Sequence, residues 1–355
     1  MSGFEFCIYE DQLPADWDTF VISHEYGSVH QVSRWKDFQL HIPGREKILG
    51  FAVRDSKTKK ILSSTLCIQM MTGFGSTFWW YSPRGPVFDP ERDCRSGQYL
   101  IHQVQLYLTR TNGIFWRWDP YFSVLQHQKL EIVSIQSTQD YQPTDTLEID
   151  LSFPDEDLLS HMKRKGRYNI SLAQKKDLRL VVKENGIFDE KDLEDFWQLN
   201  QETTNRDGFF GHSKEYYRHF LTFLKDYAVL FFIEMKDGTR IATAISTFCG
   251  TKAIYYFGAS TSHPEYRTLM APYLLQWEMI QYAKKKHCHT YDFLGIAPDG
   301  ELHHPYMGIS EFKWKFGGRR KTYVHGREIV LNLLWYWAYR VSKELKKFFQ
   351  LLKKH

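Results

Sequence analysis

Apolar and polar positions along the chain follow two periods, and the alternation between them predicts a mixed α and β protein. Residues 4–9 read as a strand. Pro14–Ile22 and Gln31–Ile42 read as helices, the second ending at Pro43-Gly44. Two strands, Leu49–Arg54 and Ile61–Met71, flank the turn Asp55–Lys60. An aromatic strand at Thr77–Tyr81, a helix at Cys94–Arg110 and a strand at Ile114–Asp119 complete the run. Thr144–Ser152 alternates as a strand does, and Asp155–Met162 has a helix's acidic start. Further helices are predicted over Phe188–Glu202 and Ser213–Lys225, with an aromatic-rich loop between them.

The first order then returns. Val229–Met235 and Arg240–Cys249 form a hairpin about Lys236-Asp237-Gly238-Thr239. The aromatic strand Ala253–Ser260, the helix Ala271–Lys286 and the strand Thr290–Leu294 follow. Each final strand carries an Asp after an aromatic, Trp118-Asp119 and Tyr291-Asp292. The agreement in element order, turn position and strand ending predicts an internal duplication. Its halves are residues 1–150 and 151–317, and Glu328–His355 is predicted as a helix that returns to the first half.

Composition narrows the picture. With 355 residues, 43% hydrophobic and 25% charged, the chain has room for two globular domains. A net charge of +4 permits an RNA or an anionic lipid partner and demands neither. The five cysteines include no C-x-x-C pair, which argues against a disulfide framework or a zinc ribbon and for a reducing cytoplasm. The start, MSGFEFCIYEDQLP, has no basic and apolar leader pattern, and no apolar run reaches the ~18 residues of a membrane span.

Three stretches carry candidate chemistry. In Tyr291–Gly318 a short strand and a turn-rich loop lead to a helix, Ile309–Phe316, with Phe312 and Phe316 on one face and Lys313 beside them. A lysine there can steady negative charge, or simply be solvated. His303-His304 lacks zinc-ligand spacing, and no metal is predicted. Lys163, Arg164, Lys165, Arg167, Lys175 and Lys176, interleaved with Tyr168, Ile170 and Leu172, suit a phosphate backbone or a solvated helix face. The tail places Leu331, Leu334, Trp335, Ala338, Val341, Leu345, Phe348 and Leu352 on one helical face, with lysines elsewhere. Such a helix can dock on the body or lie on an anionic membrane.

Hairpin, strand, helix, strand is also the central run of the GNAT acyltransferase fold, so the fold class expected is α+β, two tandem GNAT-like domains. That fold grips CoA through a Gly-rich loop. The corresponding segments here, SPRGPVFDPERD and ASTSHPEYRTLMAP, lack two glycines at that spacing and contain prolines, which have no N–H to donate. The fold therefore suggests acyl transfer, and the missing loop suggests a donor other than CoA.

The segments MKRKGRYNISLAQKK, RDGFFGHSKEYY, YYFGASTSHPEYRTLMAPYLLQWEMIQYAKKK, YDFLGI and GISEFKWKFGG together resemble the FemABX family of peptidoglycan bridge aminoacyltransferases. The resemblance implies transfer of an amino acid from aminoacyl-tRNA, with no bound cofactor, to the side-chain amine of the peptidoglycan stem peptide. The acceptor would be lipid-linked or UDP-linked, and the setting cytoplasmic cell-wall biogenesis; peripheral contact with an anionic membrane through 328–355 is suggested by the basic amphipathic pattern of that segment instead. It implies catalytic roles for Lys313 and Asp119. It implies substrate contacts for Phe312, Tyr216 and Tyr255, and tRNA contacts for the basic stretch 163–176. The chain departs from the pattern at two acceptor positions. Gln39 stands four residues after Trp35 where a lysine is expected, with Lys36 on a different helical face, and His212 stands where an arginine is expected. The alternatives are a CoA-dependent N-acyltransferase, transfer to an amine outside peptidoglycan, and a tRNA- or membrane-binding module without activity.

Overall fold

The computed structural model of the chain describes residues 3–352 apart from 74, 131 and 302, and of residues 346, 347 and 350–352 the backbone alone. The strands are β1 (Phe4–Tyr9), β2 (Ile48–Asp55), β3 (Ile61–Met71), β4 (Phe78–Pro83), β5 (Phe115–Asp119), β6 (Ile135–Gln136) and β7 (Asp145–Asp150). They continue as β8 (Leu178–Lys183), β9 (Ala228–Met235), β10 (Arg240–Cys249), β11 (Lys252–Ser260), β12 (Thr290–Gly295), β13 (Arg319–Thr322) and β14 (Arg327–Val330). One sheet has the order β1-β2-β3-β4-β5-β14-β6, and the other β8-β9-β10-β11-β12-β7-β13. Position for position the two orders match, and in each the fourth and fifth strands are parallel while the other pairs are antiparallel. The predicted duplication is therefore one of topology.

Each sheet is covered by a crossover helix that buries a stripe at three- and four-residue spacing. Cys94–Thr109 does so with Leu100, Ile101, Val104 and Leu108. Ala271–Lys285 does so with Leu275, Met279, Ile280 and Ala283. The central strands beneath are largely buried on both faces, small polar residues such as Ser63, Ser64, Thr65, Thr243 and Ser246 included. Every residue of β9 from Ala228 to Glu234 is buried, the pattern of a strand covered from both sides. The two cores are separate, one built on Phe51, Trp116 and Trp118 and the other on Phe231, Tyr291 and Phe293.

The chain divides into residues 1–142 with 323–355, and residues 143–322. The strand pattern of Thr144–Ser152, taken as the close of the first half, predicts the first break at 150. The break falls earlier because β7 pairs antiparallel with β12, from Thr290 opposite Asp150 to Gly295 opposite Thr146, and so joins the second sheet. The second unit runs on to Thr322 because β13 pairs with the other edge of β7. Three further features differ from the reading. Glu328 is not the start of the tail helix but lies in β14, paired with β5, and the helix spans Leu333–Leu352. LRLVVK after the basic stretch is the edge strand β8. The second unit's long helix runs to Asp207, past the predicted Glu202, and ends on Gly208 with φ +72°.

Candidate active site

In the second unit β11 and β12 pair over three residues, from Lys252 opposite Thr290 to Ile254 opposite Asp292, and then part. Asp292 accepts a 2.7 Å hydrogen bond from the Leu294 amide, two residues on. Leu294 has φ +62°, a left-handed conformation that a branched side chain adopts only at a cost of ~1–3 kcal/mol. The pairing with β7 shifts register over this step. Immediately after it, the carbonyl of Gly295 accepts a hydrogen bond from Lys313 Nζ at 2.6 Å.

Lys313 closes the helix Met307–Lys313 and is only 5% exposed. Burial pushes its ammonium down to about 8, against the upward pull of the Asp292 carboxylate, so near neutral pH the group is chiefly charged. Ser310 fixes the helix that carries it. Its hydroxyl donates to Tyr306 O at 2.6 Å and accepts from the Ala297 amide at 2.8 Å.

The aromatic residues expected beside Lys313 are part of its support. Phe312 packs edge-on against Tyr273 and Phe316, with ring centroids 5.2 Å apart in both pairs. Tyr273 also receives Lys315 Nζ at 3.0 Å. Tyr255 stands on β11 just where the pairing with β12 ends. Burial pushes its hydroxyl up to about 12, while a hydrogen bond with Gln276 pulls it down. Gln276 in turn accepts from Tyr291 at 2.8 Å. The Tyr255 ring lies across Gly258, where a Cβ would come within 1.7 Å of the hydroxyl, so glycine is required there.

His212 is exposed, and its ring stacks on Tyr216 at 3.8 Å and 12°. Its amide donates to Tyr217 Oη at 3.3 Å. Of the six basic positions, Arg167 turns inward and donates to the Leu159, Ser160 and Met162 carbonyls at the end of the preceding helix. Lys163, Arg164, Lys165, Lys175 and Lys176 are exposed, and so is Tyr168. Arg164, Tyr168 and Lys175 lie along one side of the helix Arg164–Gln174. Gly166 lets that helix approach the turn after Lys313, since a Cβ there would meet Lys315 O at 2.3 Å.

The remaining candidates are in the first unit. Asp119 ends β5 and is 2% exposed. Its carboxylate accepts from Tyr81 Oη at 2.7 Å and from the Arg84 amide at 2.9 Å. Burial pushes it up to about 6, against the Arg84 charge, these hydrogen bonds and Arg117. Arg84 itself lies over the rings of Tyr121 and Tyr323, at 4.7 and 5.1 Å. Trp35, Lys36 and Gln39 are all buried. Lys36 Nζ donates to the carbonyls of Glu10 and Asp11 at 2.8 and 2.6 Å, Gln39 accepts from Arg45, and Trp35 packs on His30 and Phe38.

Sequence reasoning did not single out Gly295, Leu294 or Gln276 as parts of a site. Asp292 had a signal, the repeated aromatic-Asp strand ending. Glu202 also belongs here: its carboxylate accepts from the Ser262 amide at 2.6 Å, at the start of the loop between β11 and the crossover helix.

A splayed parallel pair with a buried lysine beside it can be set against known proteins. The fold is that of the FemX crystal structure, with a TM-score of 0.82 at 18% identity, covering 93% of this chain and 99% of that one. It is also like a tandem GNAT protein from the clavulanic acid biosynthesis pathway, with a TM-score of 0.51 at 12% identity, covering 92% and 99%. A lipid II:glycine glycyltransferase of Staphylococcus epidermidis is 30% identical over 112 residues, 31% of this chain and 26% of that protein. One from Staphylococcus aureus is 29% identical over 99 residues, 28% of this chain and 23% of that protein. The matched region is thus about a quarter of the length of these curated relatives. The FemAB family model matches residues 129–236 and 231–344, which takes in every element that builds the Lys313 site. With more than half of its length matched in this way, the chain belongs to the FemAB family.

Proposed function

We propose that the protein is an aminoacyltransferase that moves an amino acid from its tRNA ester to the side-chain amine of a lipid-linked peptidoglycan precursor. The observation that carries the reading is Lys313. A buried cation costs folding free energy, and among the described residues this one makes a single hydrogen bond, to Gly295. Its other N–H donors suit an oxygen that becomes negative during reaction. The acceptor's neutral amine attacks the ester carbon, forming the C–N bond and an oxyanion. The C–O bond to the ribose then breaks, and a proton from the amine ends on the departing ribose oxygen. One well-placed donor to such an oxyanion is worth ~2.7–4 kcal/mol.

The donor assignment has two supports. The exposed basic side of the helix Arg164–Gln174, with Tyr168 among the charges, suits an RNA backbone. The loop where a CoA pyrophosphate would need free amides has its Ser262 N–H held by the Glu202 carboxylate. A carboxylate at that point repels a phosphate. Asp119 is assigned an anchoring role, since its two oxygens hold Tyr81 and the Arg84 backbone. The names of the staphylococcal relatives, lipid II:glycine glycyltransferases, support a lipid-linked acceptor.

The test mixes the purified chain with charged tRNAs and a lipid-linked precursor, and follows precursor mass and release of free tRNA. A mass gain of one aminoacyl residue, with tRNA released in step, is expected. No gain with any charged tRNA, or a gain that requires acetyl-CoA instead, would overturn the reading.

A further inference from the structure

The helix Leu333–Leu352 meets the first unit with its polar aromatic side. Tyr336 is 2% exposed and donates to Glu328 at 2.6 Å. Glu328 is sealed in, and accepts from Arg117 Nε at 2.9 Å and from Ser137 at 3.2 Å. Tyr339 packs on Phe115 with ring centroids 5.2 Å apart, and Arg340 reaches back to the Tyr336 hydroxyl at 3.1 Å. The opposite side carries Leu334, Trp337, Val341, Leu345 and Phe348, at three- and four-residue spacing and each more than half exposed. An amphipathic helix that docks on its own domain buries its apolar stripe. Here the stripe faces solvent, and the buried ion-pair network fixes the root of the helix in that attitude.

Charge identifies the cover. Residues 340–355 carry Arg340, Lys343, Lys346, Lys347, Lys353 and Lys354 against Glu344, a net of +5. Lys353 and Lys354 lie outside the described residues, as do the side chains of Lys346 and Lys347. A second copy packed stripe to stripe would bring +5 against +5. An anionic lipid surface has the opposite sign, accepts apolar side chains into the headgroup boundary, and favours tryptophans such as Trp335 and Trp337 at that depth. No helix among the described residues is long and apolar enough to cross a membrane. We infer that Leu333–Leu352 is a preformed in-plane anchor that lays its Leu334–Phe348 stripe in an anionic monolayer.

The test is sedimentation of the full chain with vesicles, without tRNA or precursor, so its outcome is independent of the transfer reading. The wild type is expected to bind phosphatidylglycerol-containing vesicles at least about tenfold more tightly than pure phosphatidylcholine, and to lose most of this preference in high salt. Val341→Glu with Leu345→Glu is expected to weaken binding about tenfold or more with an unchanged unfolding midpoint, because neither side chain packs on the body. Lys346→Glu with Lys347→Glu is expected to remove the lipid-charge preference. Three results would overturn the inference: no binding of the wild type to anionic vesicles, unaltered binding by V341E/L345E, or a wild-type dimer that this double variant makes monomeric.

Discussion

The two units place a parallel strand pair at the same point of the same strand order, and treat it in opposite ways. In the first, β4 and β5 stay paired from Trp80 opposite Trp116 to Pro83 opposite Asp119, the last residue of each strand. Asp119 then fastens the end by holding Tyr81 and the Arg84 amide. In the second, β11 and β12 separate after Ile254 and Asp292, and β11 runs six residues further to Ser260. The aspartate here turns to its own strand, binding the Leu294 amide, and the twist that follows aims the Gly295 carbonyl at a buried lysine. One topology thus supplies a sealed end and an open one. Open ends of parallel strands are where α/β folds collect ligands, because backbone groups there are not used up by a neighbouring strand.

The comparison can be broken most forcefully at the sealed unit's ion pair. Arg117→Met leaves Glu328 buried without its cation, and is expected to cost ~3–5 kcal/mol in urea unfolding. A loss under about 1 kcal/mol would mean that the pair does not hold β14 and the C-terminal helix. At the open unit, Lys313→Met is expected to lower transfer by ~10²–10³-fold with charged tRNA and precursor. Stability at pH 7 should hold or rise, since Met keeps the bulk and removes a buried charge. Transfer within a few-fold of wild type would remove Lys313 from the chemistry.

Asp119→Asn separates anchoring from proton transfer. It turns one accepting oxygen into an amide donor, so that the Tyr81 hydroxyl must reverse to accept and loses a charge-assisted bond, expected to cost ~1–3 kcal/mol, while transfer below the melting range stays within about tenfold. A much larger kinetic loss in folded protein would instead make Asp119 the base. The smallest effect is on pH dependence. Lys313 is held below its ordinary value, so its charged form is disfavoured by folding: its contribution to stability is full above pH ~10.5 and is lost as pH falls through about 8. The ammonium acts on activity with the opposite sign. Transfer needs it together with a neutral acceptor amine, whose deprotonated fraction grows with pH, so the rate should rise to about pH 8 and level off above it, and Lys313→Arg should let the rise continue. A profile still rising through pH 9 in the wild type would count against an ammonium at the oxyanion.

The local elements and their repetition are legible along the chain. Turn residues and periodicity mark the hairpin about Lys236–Thr239, the crossover helices and the aromatic strands, because these depend on neighbours within a few positions. The motif around Phe312 and Lys313 was legible for the same reason. Which sheet β7 and β14 join is settled by long-range pairing alone. β7 looks like the close of the first half and is a strand of the second, and Glu328 looks like the start of a helix and is a strand residue paired to Arg117. Strand partners lie as far apart in the chain as Phe115 and Val330, and alternation along a segment says nothing about which edge it will meet. Periodicity likewise showed that the tail has an apolar face, but not that Tyr336 and Tyr339 would be the docked ones. The same holds for Lys313: a lysine on a short helix is ordinarily solvated, and burial came from packing across the unit, which a linear pattern does not record.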